Sequence, residues 1–323
     1  MPPHPQLWPA LIGAILGLGL VAVGGVWLAR RWGKLSPRLR WGLFGGLAIL
    51  EVACWLNIYA WLIEPNMLLV RRVTIESAHW QGPPLRIAVL GDVHIGSPHV
   101  RAARALTLVR RINAERADLV VLLGDYVGGH RPRETRSAAE QNEINNGLAA
   151  FGALDARYGA AAVIGNHDDW YDRGSVIMAL ENAGVGVVVN RHFTIARSSG
   201  RFVIAGLDDR DTGAPDYARA IDGAPEGAPV LLLTHNPDVF PNIPEGPALI
   251  LAAHTHCGQV SLPFLGRPIL PSVYGQKFAC GLIAEDGKEM FVTGGVGTSI
   301  LPVRFFNPPE IVIVTLRAVG SRE

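Results

Sequence analysis

The apolar pattern divides the chain into two regimes. Residues 7–29 carry no charged side chain and residues 41–63 carry only Glu51, so each stretch is long enough to cross a bilayer as a helix. From residue 70 onward the apolar runs become short, branched and bounded by Gly, Pro or Asp. Runs at 85–90, 118–123, 160–164, 202–205, 229–233 and 248–252 predict buried strands, and 70–76 and 185–189 predict two more. Between them Ala102, Leu106 and Val109 recur at i, i+4 and i+7 among Arg101, Arg104, Arg110 and Arg111, which predicts an amphipathic helix whose arginines face solvent. Residues 131–146 read as loop and helix, and 174–183 as helix. Strands alternating with helices predict an α/β sandwich over residues 71–323, preceded by a membrane anchor over residues 1–70.

Charge sets an orientation for the anchor. Met1 and the residues up to Gln6 lack Lys and Arg, and the apolar run that follows is too long for a cleaved signal peptide. Arg30, Arg31, Lys34, Arg38 and Arg40 lie between the two spans, against only Arg71 and Arg72 soon after the second. The positive-inside rule then puts the connecting loop in the cytoplasm and the C-terminal body on the other side of the cytoplasmic membrane. Gly13-x-x-x-Gly17 and Gly42-x-x-x-Gly46 would let the spans approach closely, and Glu51 reads as a packing or snorkelling residue. The mean hydropathy of +0.24 over 323 residues is high for a soluble enzyme. A net charge of +1 argues against a nucleic-acid partner. Cys54 falls inside a span, while Cys257 and Cys280 either pair in an oxidising compartment or stay reduced.

The chemistry sits where the apolar runs stop. Residues 85–90 lead into Gly91-Asp92-Val93-His94, and strand alternation would point Asp92 and His94 at one ion. A carboxylate beside an imidazole suits manganese, iron or zinc better than calcium. The same arrangement recurs at Gly124-Asp125, Gly165-Asn166-His167-Asp168, Thr234-His235 and His254-Thr255-His256. Asp92, His94, Asp125, Asn166, His235, His254 and His256 together offer seven nitrogen or oxygen ligands from five strand ends, enough for two divalent ions if one carboxylate bridges. Such a pair can activate water and stabilise a phosphoryl centre. Asp208 and Asp209 read as the start of a turn.

In that order these motifs resemble the calcineurin-like metallophosphoesterase family, over about residues 84–316. The tail, with Gly258-Gln259, residues 295–299, Leu301-Pro302-Val303-Arg304-Phe305 and Pro308-Pro309-Glu310-Ile311, resembles its membrane-anchored bacterial branch. The resemblance implies two facing mixed β-sheets flanked by helices. It implies that Asp92, His94 and His256 hold one ion, that Asn166, His235 and His254 hold the other, and that Asp125 bridges them. His167 would not be a ligand but would steady the phosphoryl charge or protonate the leaving oxygen. Ala253 and Cys257 stand where the pattern usually has Gly, and Cys257 reads as a small buried thiol. Arg304 is a candidate contact for a substrate phosphate, with a structural ion pair as its alternative. The expected activity is hydrolysis of a phosphodiester or pyrophosphate, on a lipid or lipid-linked phosphate ester at the membrane surface. One alternative is a UDP-2,3-diacylglucosamine pyrophosphatase of lipid A synthesis; another, of a different class, is a non-catalytic membrane binding module stabilised by metal.

Overall fold

The computed structural model describes residues 4–321. Helix α1 (Trp8–Arg31) and helix α2 (Pro37–Ile58) form an antiparallel hairpin about a tight turn at Trp32–Lys34, and Pro37 opens α2 where its missing N–H is of no consequence. With their end turns the two helices run over Pro5–Lys34 and Pro37–Asn66, 30 residues each, and only 17% and 6% of their most apolar windows are buried. A core helix of a soluble protein would be covered; these apolar sides face outward, and each helix is long enough to cross a bilayer. Of the four glycines that the sequence pointed to, Gly17 makes a close approach, and Gly24, outside that set, makes another. A Cβ on Gly17 would meet the Cys54 sulfur and one on Gly24 would lie 2.8 Å from Leu47, whereas Gly13, Gly42 and Gly46 have open space around them. Glu51 is exposed on the outside of the pair.

The end of α2 is built into the body that follows. Glu64 is fully buried and its carboxylate accepts the backbone N–H of Phe306 at 2.9 Å and that of Asn307, while the Arg304 N–H donates to the Ala60 carbonyl at 3.0 Å. Arg104 donates to the carbonyls of Pro65 and Met67 at 3.1 and 3.0 Å. It is therefore a clamp on the end of the helix hairpin and not part of a solvated helix face.

After the helix hairpin come β1 (Leu69–Ser77), β2 (Leu85–Leu90), α3 (Ala102–Ala114), β3 (Leu119–Leu123), α4 (Ala138–Ala149), β4 (Ala160–Val163), α5 (Asn166–Asn182), β5 (Gly186–Val187), β6 (Arg191–Arg197), β7 (Gly200–Gly206), α6 (Tyr217–Ile221), β8 (Val230–Leu233), β9 (Leu249–Ala252), β10 (Gly281–Glu285), β11 (Lys288–Val292) and β12 (Glu310–Ala318). They make two mixed six-stranded sheets, ordered β1-β12-β2-β3-β4-β5 and β10-β11-β9-β8-β7-β6. The last strand lies between the first two, parallel to β1 and antiparallel to β2.

The sheets face one another. Ile87, Val89, Val121, Leu123, Val163, Ile204, Leu231, Leu249, Leu251, Val312 and Val314 fill the space between them. The alternate residues Ala88, Leu90, Val120, Leu122 and Ile313 pack outward against α3, α4 and α5. The other outer face carries Val203, Ala205, Leu232, Ile250 and Val292 under Phe240 and Phe278. Both faces of these strands are covered, which is why they read as continuous apolar runs rather than alternating ones. Helix α3 buries Ala105, Leu108, Val109 and Ile112, so its inner face is turned from the one drawn through Ala102 and Leu106.

Candidate active site

The central strands of both sheets stop along one edge, and the ligand-bearing loops leave them there. These loops do not continue the strand geometry. Asp92, His94, Asp125, His254 and His256 have φ of 50°, 52°, 54°, 68° and 51°, all in the left-handed region that non-glycine residues avoid. Asp92 and His94 therefore converge because the chain is kinked at both, and not through strand alternation. Backbone strain of about 1 kcal/mol at each such residue is kept only where the surroundings enforce it, and it concentrates at functional sites. Glycines make the crowding possible. A Cβ on Gly124 (φ 86°) would lie 2.7 Å from the Gly165 nitrogen, and one on Gly165 would collide with Asp125. A Cβ on Gly91 would lie 2.7 Å from the Ala253 methyl, so Ala253 fits its position because residue 91 has no side chain.

The side chains meet in two clusters. Asp92, His94 and His256 form one, Asp125, His235 and His254 the other, and a third grouping joins His94, Asp125 and His167. Nε2 of His94 and Nε2 of His256 lie 3.1 Å apart. Nε2 of His235 lies 3.0 Å from His254 Nδ1, 3.2 Å from Asn166 Oδ1 and 3.4 Å from Asp125 Oδ2. Its Nδ1 donates to the Leu123 carbonyl at 2.7 Å, which fixes the tautomer and aims Nε2 at the cluster. A ring nitrogen carries at most one proton, so it cannot satisfy three acceptors at once. Asp92 Oδ1 accepts the His254 N–H at 3.1 Å, while its buried Oδ2 has no hydrogen-bond partner. Converging lone pairs and an orphaned carboxylate oxygen are what a cation would satisfy, and carboxylate, imidazole and amide donors fit a borderline divalent ion.

The electrostatics agree. Burial pushes the Asp92 carboxyl up to about 7, with Asp125 adding to this and His235 opposing it. Burial, then the nearby His167, lowers His94 to about 3, and burial with His235 lowers His254 to about 4. Asp125 is also destabilised by burial, but His235, His167 and His94 override this and hold it well below the usual carboxylate range. Its partner His235, which burial alone would lower, is raised well above its ordinary value by Asp125. The acid whose side chain faces imidazoles of both clusters is thus the ionised one.

Around this core the remaining motif residues take distinct places. His167 donates its backbone N–H to Asp125 Oδ1 at 2.9 Å, and its Nδ1 donates to the Gly129 carbonyl at 3.0 Å, leaving Nε2 toward the cavity and 3.4 Å from the Ser299 hydroxyl. Asp168 accepts the backbone N–H groups of Asp125 at 2.8 Å, Tyr126 at 2.8 Å, Val127 at 3.1 Å and Gly165 at 3.1 Å, tying the Asp125 loop to the start of α5. Burial and the Asp125 charge push Asp168 up to about 8, against these four donors that favour the carboxylate. Asp208 and Asp209 cap the turn at 209–214, as a turn reading expects.

Three placements differ from the sequence reading or were missed by it. Arg304 is fully buried and spends its N–H groups on the carbonyls of Gly294 (2.8 Å), Gly297 (2.7 Å) and Asn307 (3.0 Å), so it clamps a glycine-rich loop and does not reach the cavity. Cys257 is not a free thiol but is bonded to Cys280, with 4.9 Å between the two Cα atoms. Asp211 accepts from Asn236 Nδ2 at 3.0 Å and lies 3.5 Å from His254 Nε2, holding that ring from behind. The acidic run Asp208-Asp209-Arg210-Asp211 was its only signal in the sequence.

A cavity of about 610 Å³ opens over the clusters. It is lined by Asp125, Asn166, His167, His254 and His256 and by the apolar side chains of Trp170, Ile269, Leu270, Val273 and Ile300. Two facing mixed sheets that deliver carboxylates, imidazoles and an amide from separate loops into one cleft define a metal-dependent phosphoric ester hydrolase. The family model for calcineurin-like phosphoesterases matches residues 85–258, and the chain belongs to that family. It is 30% identical over 287 residues to the metallophosphoesterase YkuE of Bacillus subtilis, covering 86% of this chain and 96% of that one. Phosphodiesterase YaeI of Escherichia coli is 27% identical over 266 residues, covering 80% of this chain and 92% of its own. A Danio rerio relative called a transmembrane protein with metallophosphoesterase domain is 29% identical over 252 residues, and this chain spans 53% of it. Membership in a family of hydrolases argues against the non-catalytic binding module.

Proposed function

We propose that the chain is a membrane-anchored phosphodiesterase with a dinuclear metal centre, acting on a lipid or lipid-linked phosphodiester or pyrophosphate. The observation that carries this reading is Asp125, which groups with His235 and His254 and whose Oδ2 also lies 3.6 Å from Nε2 of His94 in the other cluster, beneath a cavity lined largely by apolar side chains. Asp92, His94 and His256 would hold one ion, Asn166, His235 and His254 the other, and Asp125 would join them. When bound, two divalent ions supply Lewis acidity and activation of water.

The chain's own residues do the rest. Asp125 anchors the His167 backbone, and the Gly129 carbonyl fixes the His167 proton on Nδ1, so that Nε2 faces the cavity to exchange a proton with the departing oxygen. The first turn of α5, which carries Asn166 and His167, presents the positive end of its dipole to a phosphate. Arg210 lies on the cavity rim and takes the role first assigned to Arg304, as the cation that meets the substrate's charge. The apolar lining receives an acyl chain or a prenyl chain.

Exclusion of the body from the cytoplasm rests on the basic loop at the far end of the helix hairpin. The Cys257–Cys280 bond supports it, because such bonds persist in oxidising compartments. The same placement disfavours the UDP-2,3-diacylglucosamine reading, whose nucleotide substrate is cytoplasmic. A phosphatase reporter that is active only outside the cytoplasm, fused after Glu323, should be active; a silent reporter restores the nucleotide alternative. Purified protein with added manganese should hydrolyse a chromogenic phosphodiester. His167→Ala should lose about 10²–10⁴-fold in kcat while keeping its metal. Equal turnover by wild type and His167→Ala refutes the assignment.

A further inference from the structure

The apolar surface of the body is concentrated beside the anchor. Residues 260–266 form a tight loop closed by the Leu262–Gly266 bridge, and Phe264 and Leu265 at its tip are 107% and 77% exposed. Phe264 sits at φ 66°, a strained conformation for a bulky side chain that has no partner to hold it. Val260 of this loop is bridged to Phe305, whose ring lies 6.2 Å from that of Tyr59 at the end of the second span. On the other side Ile300 and Leu301, 78% and 52% exposed, line a groove with His4 and Gln6 at the start of α1. Ile300 is at the same time part of the cavity over the metal clusters. The collar is therefore continuous from one anchor end to the other, and it runs along the mouth of the active site.

Charge is sparse along its two apolar segments, while the groove beside His4 and Gln6 is also lined by Arg131, Arg136 and Glu140. Between residues 260 and 271 the only charged side chain is Arg267, and between 298 and 309 it is the buried Arg304. Arg267 donates to the Cys257 carbonyl at 2.8 Å at the base of the loop. Large apolar side chains grouped at the surface mark an interaction site, and apolar tips above a basic residue match the layering of a lipid headgroup region.

We propose that this collar is seated in the headgroup layer of the bilayer that the anchor crosses, so that the cavity takes its phosphodiester from a lipid in that leaflet. The inference rests on the phosphodiesterase reading for its substrate but not for its docking. The occupant is the bilayer itself, because the collar continues the surface of the two apolar helices. A lipid would enter sideways with its acyl chains along Ile300 and Val273 and its phosphate over His167 and Asp125.

The test uses the full chain in phosphatidylglycerol–phosphatidylcholine vesicles. A nitroxide is placed at Phe264→Cys, with Cys54→Ala removing the free thiol, and a control label is placed at Glu226→Cys on an exposed turn. The collar label should be reached by oxygen and not by a nickel chelate, and the control should show the reverse. A collar label as open to nickel as the control overturns docking. So does one shielded from both reagents, which would mean that a second copy covers it.

Phe264→Asn with Leu265→Ser removes the apolar tip, and Asn tolerates the left-handed conformation. Turnover of a soluble chromogenic diester should stay within about twofold, while headgroup release from vesicular phosphatidylglycerol should fall about tenfold or more. Equal loss on both substrates, or loss on neither, overturns the lipid route. If the wild-type chain cleaves neither substrate while the label reports lipid, the phosphodiesterase reading falls and the docking stands.

Discussion

The disulfide beside the site gives a prediction whose size can be worked out. Cys257 follows His256 directly, and the bond to Cys280 closes a loop with a sequence separation of 23. Opening a loop of that length restores chain entropy equivalent to about 3 kcal/mol in the unfolded state. For a body of this size that corresponds to a fall in Tm of about 6–12 °C. A second effect is local. His256, Cys257 and Gln259 all have left-handed φ, at 51°, 48° and 54°, and the bond pins this kink against the start of β10. The ties that survive are hydrogen bonds: the Thr255 hydroxyl donates to the Ala279 carbonyl at 2.7 Å, and Arg267 and Asn307 donate to the Cys257 carbonyl at 2.8 and 3.1 Å. Removing both sulfurs, as Cys257→Ala with Cys280→Ala, avoids leaving a thiol next to the ligand. Thermal unfolding in detergent followed by near-ultraviolet circular dichroism, with metal content measured in parallel, should show the lower Tm and weaker retention of the ion proposed to sit among Asp92, His94 and His256. A Tm change under about 2 °C together with full metal retention would refute the argument, since it falls below the entropy estimate.

Other outcomes follow from contacts at the site. Gly91→Ala should cost about 1–3 kcal/mol of stability, because the new methyl meets Ala253 at 2.7 Å. Adding Ala253→Gly should restore part of that loss, and a chemical-denaturation series that shows no restoration contradicts the packing account. Arg304→Met should destabilise by about 3 kcal/mol or more by leaving buried carbonyls unpaired, without changing KM in the folded fraction. Arg210→Ala should do the opposite, raising KM at nearly constant Tm. Metal affinity should rise with pH through about 7. In the metal-free protein Asp92 holds a proton up to about 7 because of burial, and His235 holds one above its ordinary value because Asp125 overrides burial. Both must be lost on ligation, whereas His94 and His254 are already neutral at pH 7. Calorimetry in two buffers of different ionisation heat should detect proton release at pH 6; none would contradict the assignment of those protons.

The features legible in the sequence were those with a local physical cause. The long, nearly uncharged stretches announce apolar helices, and strands buried on both faces announce themselves as unbroken runs ending close to a ligand-type residue, three of the five after a Gly. What escaped depends on partners distant in sequence. Nothing in the run 310–318 says that it will slip between β1 and β2, because that choice is made by the whole sheet. The arginine of Leu301-Pro302-Val303-Arg304 looks like a phosphate contact until its surroundings prove to be backbone carbonyls. Asp92 and His94 share a cluster through left-handed kinks, a conformation that Asp and His adopt more readily than most residues but that the surrounding loops must enforce. Glycine spacing in the two helices points to Gly17 but not to Gly24, because the neighbour across the pair, not glycine itself, decides contact: Gly17 and Gly24 face α2 and Gly13 does not.

The central claim is that one carboxylate joins two metal ions. Elemental analysis of purified full-length protein tests it most directly, on wild type, Asp125→Ala and His167→Ala prepared in parallel. The account expects two divalent ions per wild-type chain, two in His167→Ala, and loss of more than one in Asp125→Ala. A wild-type chain holding a single ion, or an Asp125→Ala chain that still holds two, would contradict it.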